Sequence, residues 1–130
     1  MSAANVDVVR SFYESVEGGR LPDALALLAP DVAWTEMAGF PYAGTYHGPD
    51  SVRDDVFARF PVDWASFAMD VDEILDAGDT VVGVGTYSGT GRESGNAMRA
   101  RVVHVFRLRE GKIAAFEQFT DTAKVREAVP

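Results

Sequence analysis

The segment "AMRARVVHVFRLR", residues 97–109, alternates between two kinds of side chain along its whole length. Met98, Ala100, Val102, His104, Phe106 and Leu108 fall on one face. Arg99, Arg101, Val103, Val105, Arg107 and Arg109 fall on the other. Period two over that distance demands a long strand with one covered face. Four arginines cannot line a core, because an unpaired charge buried away from water is costly. The His104 face is therefore the inner one.

The neighbouring segments continue the sheet. In "SFAMDVDEIL" Phe67, Met69 and Val71 alternate with Ala68, Asp70 and Asp72. "TVVGVGTYSGT" carries Gly83, Gly85 and Gly89, which predict bends or bulges in a strongly curved strand. Turns fall at Asp76–Asp79, around Glu93–Asn96 and at Arg109–Gly111, before the last strand "KIAAFEQFT".

The first half has the other period. Val6, Val9, Phe12, Tyr13 and Val16 recur at spacings of three and four, and Gly18-Gly19 ends the pattern. Pro22 and Asp23 suit the first turn of a short second helix carrying Leu25 and Leu28, closed by Pro30. A strand "DVAWTEM" follows. Gly48-Pro49-Asp50 opens a third helix with Val52, Val56, Phe57 and Phe60 on one stripe, stopped by Pro61. "DTAKVREAV" reads as a terminal helix capped by Asp121 or Thr120. Helices first and long antiparallel strands after them define an α+β chain, one domain over residues 1–130. A bent sheet can wrap the helices and leave a cavity between them.

The last hairpin decides what stands beside His104. A three-residue loop with Gly111 in the left-handed position pairs Leu108 with Lys112 and sets His104 opposite Phe116. Phe116, Gln118 and Thr120 then share the inner face, and Glu117 lies outside among the arginines. A two-residue loop brings Glu117 inward beside His104. The first register is the expected one, because it satisfies the arginine face.

Composition excludes several function classes. A formal charge of −8 and a pI near 4.6 argue against nucleic acid, whose phosphates need clustered Lys and Arg. No apolar run approaches twenty residues, so no membrane span is expected. The start "MSAANVDVVR" lacks the regions of a secretory signal, and a cytoplasmic protein is expected. With no cysteine, thiolate chemistry is absent, and the two histidines, His47 and His104, lie on different elements. No metal site and no cofactor are expected. A nucleophilic serine elbow and a phosphate-binding glycine loop are likewise missing.

"WTEMAGFPYAGTYHGPD", residues 34–50, packs aromatics among glycines and prolines directly after Glu36. Such a loop is expected to form the rim of a pocket, keeping water from that carboxylate. Tyr42 and Tyr46 are the better pocket candidates, because their hydroxyls can meet a polar group.

The stretches "FYESVEGGRLPDALALLAPDVAWTE", "YHGPDSVRDDVF" and "VHVFRLREGKIAAFEQFTD", with the helix-then-sheet order, resemble the SnoaL-like branch of the nuclear transport factor 2-like superfamily. That branch includes ketosteroid isomerases and polyketide cyclases. The resemblance covers nearly the whole chain. It implies a cone: N-terminal helices packed in a strongly curved antiparallel or mixed sheet, enclosing an apolar pocket and usually forming a homodimer. The outer face with Val103, Val105 and the arginines is the expected interface. The resemblance also places the isomerases' general-base aspartate at Glu36 and their protonated oxyanion-binding acid at His104. Their helix tyrosine falls at Phe12, with Tyr13 pointing elsewhere. The cyclases' catalytic aspartate falls at Gln118.

Two readings stay open. In one, the chain is a cofactor-independent isomerase, cyclase or hydratase-type enzyme acting on a small apolar carbonyl-like molecule. Glu36 is then the base and His104 its hydrogen-bonding partner or acid. Phe12, Trp34, Tyr42, Tyr46, Phe57, Val102, Phe106 and Phe116 are the candidate ligand-binding walls, and Gln118 orients the ligand or Glu36. In the other, Glu36 is a solvated strand-end carboxylate, His104 a satisfied core histidine, and the chain a non-catalytic binding or dimeric scaffold module.

Overall fold

The computed structural model describes residues 2–130. Helix α1, Ala3–Glu17, starts where the Ser2 side chain accepts the Asn5 backbone N–H and ends at Gly18. It is followed by α2, Leu21–Leu25, and β1, Leu28–Glu36. After β2, Gly44–His47, come α3, Pro49–Asp55, a 3₁₀ turn over Phe57–Arg59, and α4, Phe60–Asp63. Four long strands then run consecutively: β3, Trp64–Ala77; β4, Thr80–Gly91; β5, Ala97–Arg109; and β6, Lys112–Thr120. Helix α5, Thr122–Ala128, is capped by Asp121, whose side chain accepts the Lys124 N–H.

Two proline assignments need correction. The second helix ends at Leu25, and Leu28 and Pro30 belong to β1. Pro30 lies in the interval between Leu28 and Ala33 where the β1–β6 register shifts, a position where its missing N–H is tolerated. Pro61 does not stop a continuous third helix. It occupies the first turn of α4, where a proline removes no intrahelical bond, and the break lies earlier, at Val56 with φ −117°.

The strands form one curved, unclosed sheet in the order β2-β1-β6-β5-β4-β3. It is mixed: β1 and β6 are parallel, and every other pair is antiparallel. Helix α1 lies against β3, β4 and β6. Along β5 the sorting by parity holds. Met98, Ala100, Val102, His104, Phe106 and Leu108 are buried, and the arginines are exposed.

The β5–β6 hairpin departs from the expected closure. Arg109 pairs with Lys112 around the two-residue loop Glu110-Gly111, both in the left-handed region at φ 52° and 76°. Left alone, that loop would bring Glu117 opposite His104. A bulge at Ala114 adds one residue: Leu108 pairs with Ile113 and Arg107 with Ala115. His104 therefore faces Gln118 rather than Phe116, Phe106 faces Phe116, and Glu117 stays outside, 4.0 Å from Arg107.

Two apolar clusters fill the concave side. One joins Val9 and Phe12 of α1 to Trp34, Phe106, Ile113 and Phe116. The other gathers Phe40, Tyr42, Trp64, Tyr87, Met98 and Val125 under α5. Among the described residues, no helix is long and apolar enough to cross a membrane.

Candidate functional site

Glu36 is the last residue of β1, and its position there decides its chemistry. It is 3% exposed, and among the described residues its carboxyl makes no hydrogen bond. It faces a cavity of about 750 Å³ whose walls include Phe12, Trp34, Phe57, Phe67, Tyr87 and Phe116. Exposed residues of α1 and β3, among them Glu14, Glu17, Asp70 and Glu73, also belong to its lining. Burial pushes the Glu36 carboxyl up to about 8. The Trp34 indole N–H lies close enough to temper that rise, although it makes no hydrogen bond of normal geometry. At neutral pH Glu36 therefore stands mostly as a neutral acid that gives up its proton near pH 8.

A chain of hydrogen bonds forms the other polar wall. His104 Nδ1 lies 2.9 Å from Tyr13 Oη, and Nε2 lies 2.6 Å from Tyr87 Oη. Tyr87 Oη also accepts the Gln118 amide N–H at 2.9 Å, and Gln118 Oε1 accepts the Met37 backbone N–H at 3.3 Å. Burial pushes His104 down to about 3, so its ring is neutral across the physiological range. Burial raises both phenols well above the ordinary tyrosine value, and the nearby Glu36 carboxylate adds to the rise at Tyr87. Tyr13, Glu36, Tyr87 and His104 all line the same cavity. An ionisable carboxyl thus stands within electrostatic reach of neutral hydroxyl donors in a mostly apolar chamber.

The family model described as a SnoaL-like domain matches residues 9–116, which run from α1 into β6. The chain belongs to the SnoaL-like domain family. An NTF2-like protein from Burkholderia thailandensis is 44% identical, with 97% of each chain covered and a TM-score of 0.94. An NTF2-like protein of unknown function from Burkholderia pseudomallei is 34% identical over 99% of this chain and 98% of its own, at a TM-score of 0.90. TerC, co-crystallised with polyporic acid, has the same fold at a TM-score of 0.88 and 24% identity, covering 97% of this chain and 98% of its own. No curated protein matches the chain.

In this SnoaL-like chain the expected site residues separate into two groups. Glu36, His104, Phe12, Trp34, Phe57 and Phe116 line the cavity. Tyr42, Tyr46, Val102, Phe106 and Gln118 do not. Tyr42 is buried in the second cluster, donates to Asp63 at 2.8 Å, and carries the Arg59 guanidinium 4.2 Å above its ring. Tyr46 donates to the Tyr42 carbonyl, so both hydroxyls are already engaged, that of Tyr46 within the loop and that of Tyr42 by α4. Phe40 and Tyr42 are core rather than rim, because α5 closes that end and gives them an apolar surface to cover. Val102 and Phe106 pack within the two clusters, and Gln118 stands behind Tyr87.

Two residues enter the site against expectation. Tyr13 does not point elsewhere: its hydroxyl reaches His104. Its position, four residues after Val9 and three before Val16, already put it on the helix's inward stripe. Tyr87 continues the buried parity of Val81, Gly83 and Gly85 in β4, where two glycines between the side chains conceal the pattern.

Proposed function

We propose that this SnoaL-like protein binds a small, mostly apolar molecule carrying a carbonyl-type oxygen and moves a proton on it without a cofactor, as isomerases and cyclases do. Glu36 is the group that takes and returns the proton. The observation supporting this most directly is a buried carboxyl without a hydrogen-bonding partner among the described residues, facing a chamber that also presents the Tyr13–His104–Tyr87 chain. A carboxylate held in water by hydrogen bonds is a poor base, whereas desolvation raises its proton affinity towards that of a working base near neutral pH. The hydroxyl donors stabilise negative charge on the ligand oxygen as the neighbouring carbon loses its proton. The co-crystallised molecule in TerC agrees with small-molecule binding in this fold.

The test is deuterium exchange. A panel of small apolar ketones is incubated in heavy water, and loss of the proton signal next to the carbonyl is followed by NMR. Exchange should rise with pH through about 8, and Glu36→Gln should lower it by about 100-fold or more. Equal exchange by Glu36→Gln and wild type, or no exchange across the panel, rejects the reading.

We also propose a homodimer formed through the outer sheet face. There Val103 pairs with Phe119, which is 44% exposed, and half-buried Val105 stands beside them. Light scattering should give twice the 14.1 kDa chain mass, and a monomer at high concentration would exclude this interface.

A further inference from the structure

Both ring nitrogens of His104 are occupied, one by each tyrosine. A neutral imidazole carries one N–H and one bare nitrogen. With two phenol O–H groups the triad holds three hydrogens for two internal hydrogen bonds. One hydroxyl hydrogen is left over. If Nδ1 carries the ring proton, it donates to Tyr13, Tyr87 donates to Nε2, and the Tyr13 hydrogen is free. If Nε2 carries it, the chain reverses and the Tyr87 hydrogen is free.

Among the described residues the surplus hydrogen has no acceptor. Gln118 cannot take it: the Met37 N–H fixes the amide with its oxygen turned away and its N–H donating to Tyr87. Glu36 acts on Tyr87 electrostatically but forms no hydrogen bond with it among the described residues. Both phenols line the cavity. The exposed part of the cavity lining, meanwhile, carries Glu14, Glu17, Asp70 and Glu73; its Asp72 is paired with Arg101 at 2.6 Å, and its guanidinium, Arg10, is paired with Asp7 at 3.1 Å. Such a rim raises the energy of an approaching anion.

We propose that Tyr13, His104 and Tyr87 act as one donor unit whose ring tautomer selects which phenol binds the ligand, so that the cavity takes an uncharged molecule presenting an acceptor oxygen of the ketone or ester type. The tyrosines touch the ligand. His104 is a positioning residue, meeting it only through ring carbons. This rests on the cavity being the binding site proposed above, but not on Glu36 moving a proton.

The experiment reads the tautomer directly. Protein labelled with ¹⁵N in its imidazoles is examined by long-range proton–nitrogen NMR, with His104 told apart from exposed His47 by His47→Gln. The probe is 2-acetylnaphthalene, compared with its oxygen-free analogue 2-isopropenylnaphthalene and with 2-naphthoate. His104 should show one protonated and one bare nitrogen between about pH 5 and 9. Tyr13→Phe should place the proton on Nε2, Tyr87→Phe should place it on Nδ1, and the ketone should shift the ratio in wild type. The ketone should bind about five- to tenfold more tightly than the alkene, the worth of one net hydrogen bond, and naphthoate should bind most weakly. A His104 that titrates near its ordinary value, a ratio unmoved by the ketone, equal affinities for ketone and alkene, or no ketone binding at millimolar concentration overturns the proposal. The wild-type measurements carry the decision even if a variant fails to fold. A tautomer response without Glu36-dependent exchange would sink the proton-transfer reading alone.

Discussion

Gly83 stands against the Tyr13 hydroxyl: a Cβ at Gly83 would collide with Tyr13 Oη, and Gly83 is the β4 residue paired with His104. The absent side chain is what lets a helix residue reach the imidazole of a central strand. Gly83→Ala should therefore push Tyr13 off His104 Nδ1 and cost about 1–3 kcal/mol through overpacking. Thermal unfolding measures the loss. Because the closest clash is with the hydroxyl, Tyr13→Phe in the same chain should return part of it, giving a favourable coupling in a double-mutant cycle. Additive effects of the two substitutions would mean that the residues do not meet.

Glu36 and His104 drive the pH dependence of stability in opposite directions. Between 4.5, the ordinary value for Glu36, and about 8, the folded chain holds a proton that the unfolded chain has released, so stability falls as pH rises. Between about 3 and 6.5 the unfolded chain binds a proton that folded His104 refuses, so stability falls as pH drops. The slopes, each about 1 kcal/mol per pH unit, cancel where the windows overlap, from 4.5 to 6.5. From 6.5 to about 8 only the Glu36 slope remains, and this pair then lowers stability. Glu36→Gln removes it. Urea unfolding should find the variant close to wild type near pH 4.5 and more stable by a few kcal/mol near pH 8, the reverse of its expected effect on proton exchange. Parallel profiles for the two proteins would show that Glu36 is not desolvated.

What local sequence could and could not carry is visible in particular residues. The alternation of β5 places His104 inside because charge and apolarity separate cleanly along thirteen consecutive residues. Glu36 sits at the end of a strand whose interior is apolar, and nothing local contradicts its burial. Tyr13 belongs to the inward stripe of α1, yet similarity at the neighbouring position drew the role to Phe12. Tyr87 is hidden by the glycines before it, whose purpose is legible only once α1 is seen lying against β4. The aromatic loop is core rather than rim because of α5, some eighty residues later in the chain, whose Arg126 also donates to the Gly39 carbonyl. Contacts of that separation leave no periodic trace.

The hairpin at Glu110-Gly111 is the most demanding case, because a one-residue slip exchanges the faces of a strand. The loop sets Arg109 against Lys112, and from there plain antiparallel pairing carries Glu117 to His104. Ala114, the unpaired residue of the bulge, moves Glu117 out to the arginine face and brings Gln118 in to hold Tyr87. Deleting Ala114 removes the bulge and the extra residue together, so Arg107 still meets Ala115 and His104 still meets Gln118. The deletion should therefore shift the urea midpoint only by the local cost of straightening the strand. Inserting a second alanine after Ala114 should do the damage: with one residue still bulged, Glu117 comes opposite His104 and Tyr87 loses its amide partner. A buried carboxylate without a partner destabilises by about 3 kcal/mol or more, a large share of the stability of a domain this size. The insertion should lower the urea midpoint sharply, and adding Glu117→Gln should recover much of the loss by supplying an amide where Gln118 stood. Glu117→Gln in the chain without the insertion should change stability by less than about 0.5 kcal/mol, since that side chain lies outside. If the insertion is tolerated without help, the bulge takes up the added residue and the inner face of β6 is arranged by the core alone.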